Sequence, residues 1–461
     1  MKIALFSIYR LGNETGVAKI SELICSYLAK KHEVLYVCSG NKFFYGKRKT
    51  LLYKTLEIPS TPIRQGSFPK LTPEIVEKVY QTLDQFSPDI IHAQNIALTA
   101  LVCQLWAIRN SIPFITTFHN IPTEGIGWIF PKLSKSKTVK RTNLRLAKIY
   151  LGNILNNTDL IIALNESVKN SILKIVDNKD KVIVHGNGIN LDSFLTLKIK
   201  KPIDKKIFTF LGSYIPRKNQ EYLLDTFKYL PDNYHLNCYG NKKTGKEYVK
   251  KLEKLIKKQN IRNVSIKGFL SEKQVQNTLE NTDYFVSASL KEAQSLVIIE
   301  SLASGTPVIG LRNETIDELV NSNNGLSFSK STKPYNFANQ LNTYINKNEE
   351  DYIKNANYCR QSVADLDIGN KVNQLENYYK KAIQKKKKVK KDESMIIDLI
   401  PKQFQKYFGF TSSRPREKKT TRIRLVLWLT MIMSQAASYL LETIPSLKAI
   451  KKTITNITSD N

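Results

Sequence analysis

What this chain is short of narrows its chemistry first. Five cysteines occur in 461 residues, at Cys25, Cys38, Cys103, Cys238 and Cys359. They are odd in number, scattered, set mostly in apolar patterns and without a Cys-x-x-Cys spacing, so they read as reduced core residues of a cytoplasmic protein rather than a disulfide or zinc framework. The first residues do not read as a secretory leader either. The N-terminus, "MKIALFSIYRLGNETG", has an apolar run that Tyr9 and Arg10 break early, and it reads as a first strand. Acidic residues are scarce: 40 Asp and Glu stand against 71 Lys and Arg, for a net charge of +31. A surface this basic implies a polyanionic partner, whether nucleic acid, acidic membrane or phosphorylated small molecule.

What is present suits a large globular protein, with 41% hydrophobic and 24% charged residues. The length exceeds one ordinary core. Short apolar runs alternate with helical periodicity, the pattern of parallel sheets wrapped by helices. Strands are predicted at 2–7, 33–38, 89–94, 113–118, 160–165 and 181–186. After a charged break at 195–206 they resume at 207–212, 235–240, 264–269, 284–289, 307–311 and 325–328. Residues 350–383 read as helical. The reading is an α/β fold with two Rossmann-like doubly wound domains facing a cleft: 1–195, a linker at 196–206, and 207–365. A C-terminal helix at 366–384 is expected to pack back on the first domain, followed by a basic tail at 385–461.

The stretch "SLKEAQSLVIIESLASGTPVIG" (289–310) concentrates the chemical signal. Glu292 follows a predicted strand and Glu300 lies in the second turn of the helix after it. Open α/β sheets bind ligands where chains leave the C-terminal ends of strands, often with helix amides facing an anion. Free amides at Ser295 and Leu296 are expected there. The competing reading is two acids on a solvated helix face.

The segment resembles the E-x(7)-E motif of retaining glycosyltransferases of family four, with the GT-B fold, and the resemblance covers roughly residues 1–380. Other matches follow in order: "TGVAKISELICSYLAKKHEVLYV" for the first glycine loop and helix, "PDIIHAQN" and "ITTFHN" for strand ends, "VIVHGNGINLDSF" for the hinge, and "FLGSYIPRKNQEYLL" for the phosphate loop. The resemblance implies that Glu300 binds a ribose diol, Glu292 the donor hexose and Lys218 the diphosphate, with the Ser295 and Leu296 amides sharing that load. It places His119 near donor sugar and acceptor, and Gly16 where backbone approaches the ligand. The family's usual arginine after the strand glycine is missing, since Ser213 follows Gly212; Arg217 is the candidate substitute. The implied reaction moves a hexosyl group from a nucleoside-diphosphate sugar to an acceptor hydroxyl, with retention and with no metal or other cofactor required; a lipid-linked or envelope glycan is the expected acceptor. The site motifs supply no Asp-x-Asp pair or His/Cys cluster. His92, inside "DIIHAQ", reads as core, and His185, Asn187 and Gly188 as structural.

Two basic segments remain. Residues 131–150 carry seven Lys/Arg and no acid, and face either the acceptor, an anionic bilayer or solvent. In the tail, residues 381–461 hold 18 Lys and Arg against 6 Asp and Glu. The tail's charge-free run 425–441 is ~26 Å long as a helix, slightly short of the ~30 Å bilayer core. Trp428 and Tyr439 sit near its ends, as interface anchors do. An anionic membrane surface is therefore the expected partner, with the protein peripheral or C-terminally anchored at the inner face of the cell membrane. No nucleic-acid module is recognisable. The rival of another class is a non-catalytic, membrane-bound adaptor on a degenerate sugar-nucleotide fold.

Overall fold

The computed structural model describes residues 1–63, 66–96, 98–119, 151–152, 154–200, 204–347 and 350–386. The basic segment 131–150 and the apolar run 425–441 lie outside the described residues.

In the first half the elements run β1 (Lys2–Arg10), α1 (Gly16–Leu28), β2 (Glu33–Gly40), β3 (Phe44–Lys47), β4 (Lys54–Ile63), β5 (Gly66–Pro69), α2 (Pro73–Phe86), β6 (Ile90–Ala93), α3 (Leu98–Arg109), β7 (Phe114–Phe118), β8 (Leu160–Ala163), α4 (Glu166–Ile172), β9 (Val182–Val184) and α5 (Asp192–Leu195). The sheet order is β3-β4-β2-β1-β6-β7-β8-β9, with β5 paired to β4. All pairings are parallel except those that β3 and β5 make with β4.

The second half runs β10 (Lys206–Leu211), α6 (Gln220–Phe227), β11 (Tyr234–Tyr239), α7 (Lys246–Lys258), β12 (Val264–Lys267), α8 (Glu272–Glu280), β13 (Tyr284–Ser287), α9 (Leu296–Ser304), β14 (Val308–Leu311), α10 (Glu314–Leu319), β15 (Gly325–Phe328), α11 (Pro334–Lys347), α12 (Tyr352–Gln361) and α13 (Ile368–Lys386). Its sheet is wholly parallel in the order β12-β11-β10-β13-β14-β15. That is the doubly wound order with its reversal between β10 and β13, where a crevice opens beyond the strand ends.

Two expectations need correction. The sequence reading contained no β3, β4 or β5, and β4 itself contains Pro59 and Pro62. Pro59 lies past Glu57, the last β4 residue paired with β3, so its missing N–H interrupts no ladder on that side. The helical stretch 350–383 is two helices. Between them the chain returns to the first half: Ile189 N–H donates to Leu366 O at 2.9 Å and Ile368 N–H to Ile189 O at 2.9 Å.

That return carries α13 onto the first sheet. Ile368, Val372, Leu375, Tyr379 and Ala382 form an apolar stripe at helical spacing and join the core containing Ile3, Leu5, Ile24 and Tyr36. Burying each of the larger side chains is worth about 1.5–3 kcal/mol, enough to hold a lysine-rich helix in place. Lys386 closes it with an ion pair to Asp159, 3.1 Å. All five cysteines are free and buried.

Candidate active site

The two sheets meet through loops that leave the C-terminal ends of their strands. Asn165, after β8, donates to Ala293 O at 2.5 Å. Asn187 N–H, after β9, donates to Gln294 Oε1 at 2.6 Å. Asn241, after β11, donates to Glu14 at 2.7 Å. A Cβ added to Gly16 would lie 3.7 Å from a Leu296 methyl. Close approach matters at Gly186 as well, where a Cβ would fall 2.6 Å from Gln294 Nε2. The loop 289–295 is therefore held from the first half while it carries Glu292.

On the second sheet, β10 ends at Leu211 and the chain turns through Gly212 into a short 3-10 turn at Pro216–Lys218. Tyr214 anchors this loop from below, its hydroxyl donating to Cys238 O at 2.6 Å. The result directs Lys218 Nζ to Glu292 Oε1 at 2.5 Å, and Arg217 Nη1 approaches Glu292 Oε2 at 3.5 Å. Arg217 also donates to Lys291 O at 2.5 Å, and Leu290 N–H donates to Arg217 O at 3.0 Å. Arg217, Lys218 and Glu292 thus form one group across 74 residues of sequence. Burial alone would raise the Glu292 carboxyl, but Lys218 and Arg217 outweigh it and hold it below the ordinary carboxylate range. Ser213 is exposed on the same loop.

Glu300 stands on α9, which ends at Gly305 in the left-handed conformation, φ 88°, as the Ser-Gly-Thr-Pro sequence requires. It is partly buried. Burial pushes its carboxyl up to about 7, with Lys19 opposing from α1. The Ser295 amide is not free, contrary to the sequence reading: it donates to Thr315 Oγ1 at 3.0 Å, because the start of α10 packs against this loop. The first amide of the helix, at Leu296, lies one residue on.

On the first sheet, His119 follows β7 and its Nε2 bonds Gln94 Oε1 at 2.6 Å. Burial pushes the His119 ring down to about 4, so it is neutral at ordinary pH. Among the described residues this bond is its hydrogen bond, and none joins it to the Lys218 and Glu292 group. His92 is buried, bonded to Tyr379 Oη at 2.7 Å and Thr117 Oγ1 at 2.8 Å. His185 lies edge-on to Tyr378, and Gly188 packs so closely that a Cβ would meet Ile368 Cα at 2.7 Å.

Among the described residues no three His, Cys, Asp or Glu side chains gather as metal ligands. The sequence does contain an Asp-x-Asp, Asp365-Leu366-Asp367, but it lies at the entry to α13, where Asp367 Oδ2 accepts from Asn370 N–H at 3.1 Å. Gln94, Asn165 and Gln294 were not singled out from sequence. Their partners lie 25, 128 and 107 residues away, and an isolated amide side chain carries no local pattern.

Comparison with known proteins bears on this geometry. The family description "Glycosyltransferase Family 4" matches residues 15–193 and "Glycosyl transferases group 1" matches 194–361. A glycosyltransferase of Methanocaldococcus jannaschii is 26% identical over 262 residues, 57% of this chain and 66% of that protein. An alpha-monoglucosyldiacylglycerol synthase of Streptococcus pneumoniae is 24% identical over 339 residues, 69% of this chain and 73% of that protein. Among solved structures, sucrose-phosphate synthase from Thermosynechococcus elongatus has a TM-score of 0.67 at 18% identity, covering 83% of this chain and 99% of that one. HepE of Anabaena, in complex with UDP and glucose, has a TM-score of 0.64 at 20% identity, covering 83% and 100%. These structural likenesses show the shared two-domain GT-B fold.

Proposed function

The chain belongs to the family-four, group 1 glycosyltransferases, and on that premise we propose that it moves a hexosyl group from a nucleoside-diphosphate sugar to an acceptor hydroxyl, with retention at the anomeric carbon. The observation that supports this reading best is the group formed by Lys218, Arg217 and Glu292 beside the helix that holds Glu300. A donor of this class presents a diphosphate, which needs cations, and sugar hydroxyls, which need acceptors. Lys218 and Arg217 take the first role, Glu292 the hexose and Glu300 the ribose. Gly212 and Gly16 keep side chains out of the donor's path, and the Leu296 amide adds a donor at the helix start.

Transfer breaks the bond between the anomeric carbon and the diphosphate oxygen and forms one to the acceptor oxygen on the same face. The acceptor proton passes to the departing phosphate oxygen, and the cations stabilise the charge that develops there. His119, neutral, offers hydrogen bonds near the reacting face without adding charge.

UDP-sugars are the first donors to try, since the HepE neighbour holds UDP-glucose. A lipid-linked or envelope glycan acceptor is supported by the glycolipid-synthase relative and by the basic, partly apolar tail. Among the described residues no helix is long and apolar enough to cross a membrane. The reading places the enzyme at an anionic membrane surface through its tail, and assigns residues 1–195 to the acceptor and 207–365 to the donor.

The test is donor binding and hydrolysis across UDP-, GDP- and ADP-sugars, with wild type and Glu300→Ala, with and without anionic liposomes. One donor is expected to engage the wild type and to be lost in the variant. If no donor engages the wild type under any lipid condition, the reading is wrong.

A further inference from the structure

We propose that Glu292 discriminates a sugar-loaded donor from the spent nucleoside diphosphate by competing with the diphosphate for the same two cations. This rests on the donor-site reading above and adds a role which that reading does not contain.

Lys218 and Arg217 are both paired with Glu292. Lys218 Nζ lies 2.5 Å from Glu292 Oε1, and Arg217 Nη1 lies 3.5 Å from Oε2. The Lys218 and Glu292 side chains are only 13% and 9% exposed, so water cannot take over from either partner cheaply. A diphosphate that claims the cations must turn the Glu292 carboxylate away from them. The carboxylate can turn while its backbone stays, and the Ser289 hydroxyl, which also bonds it, is the donor it keeps nearby. Its backbone is fixed by the Glu292 N–H to Glu314 Oε2 bond at 3.0 Å, and the loop is tied to the 3-10 turn by Leu290 N–H to Arg217 O and by Arg217 to Lys291 O.

A buried carboxylate stripped of its cations is costly unless new donors meet it. A loaded donor brings hexose hydroxyls, which can donate to the displaced carboxylate. A bare nucleoside diphosphate brings none, so Glu292 returns to Lys218 and Arg217 and weakens its hold. After transfer the hexose is gone, and the same exchange favours product release. No covalent bond changes in this step; one carboxylate and one diphosphate trade places on two cations.

The prediction has the opposite sign from that for a residue which only binds sugar. By calorimetry on the full chain, Glu292→Gln should bind UDP, ADP or GDP at least fivefold more tightly than wild type, while the corresponding UDP-, ADP- or GDP-glucose gains nothing or loses. Glu292→Asp, whose shorter side chain reaches the cations less well, should fall between, and adding Lys218→Met to Glu292→Gln should erase the gain. Unchanged or weaker nucleoside-diphosphate binding in both Glu292 variants would overturn the competition while leaving the donor site standing. If neither wild type nor variants bind any of the three nucleotides, the donor-site reading itself falls, and the competition with it.

Discussion

Tyr379, in the last described helix, places its hydroxyl 2.7 Å from His92 Nδ1 in the first sheet, 287 residues earlier. His92 Nε2 meets Thr117 Oγ1 at 2.8 Å, so both ring nitrogens are satisfied within a core that excludes water. This bond helps lock α13, which follows the second sheet in the chain, onto the first.

Removing the hydroxyl alone leaves one imidazole nitrogen buried and unpaired. Tyr379→Phe should therefore destabilise the protein by about 1–3 kcal/mol, read as a lowered denaturant midpoint with an unchanged slope. Because α13 bridges the halves, the same variant should expose it to hydrogen exchange before the sheets.

Stability should fall as the pH drops below about 6.5. Burial pushes His92 down to about 3 and both His119 and His185 down to about 4, so in that window the unfolded chain binds protons that the native state refuses. Each such proton is worth about 1.4 kcal/mol per pH unit. Glu300 works the other way: its raised value, about 7, adds stability at low pH that is lost as pH rises through 7. Burial also raises the Glu22, Asp283 and Glu318 carboxyls and lowers His235, but the larger shifts are those of three histidines against Glu300, and they set the fall between about pH 5 and 6.5. A stability profile rising from pH 7 to 5 would contradict this.

In the proposed role, Glu300 must be ionised to accept two ribose hydroxyls. With its carboxyl pushed up to about 7, donor affinity should weaken as pH falls from 8 to 6. Glu300→Gln should bind donor at least ten times more weakly at pH 8 and show a flat profile across that range. Calorimetric titration of the nucleotide sugar at several pH values decides it.

Ser213 is exposed on the loop that leaves β10 and leads to Arg217 and Lys218. Ser213→Arg puts a planar, permanently charged donor where the family usually has one. Donor KM should fall severalfold with stability unchanged; an unchanged KM would show that Arg217 already fills that place.

Much of the architecture is legible in the sequence because parallel strands buried on both faces write themselves as short apolar runs. The strand after the linker and the last strand fall within a residue of the predictions, at Lys206–Leu211 and Gly325–Phe328. β4 is not legible because it holds two prolines: Pro59 ends its pairing with β2, and Pro62 pairs only with the short outer strand β5.

For the site, local sequence fixed the residue types: two glutamates eight positions apart after a buried strand, a glycine at the end of another, and adjacent Arg217 and Lys218. Only the tertiary structure decided what these residues do to one another. That Glu292 holds Lys218, that Thr315 takes the Ser295 amide, and that Gln94 holds His119 depend on contacts between strand ends far apart in the chain. A hydrogen bond depends on where two atoms meet, and in a doubly wound fold those meetings are set by the order of strands in the sheet and the packing of one sheet's loops on the other.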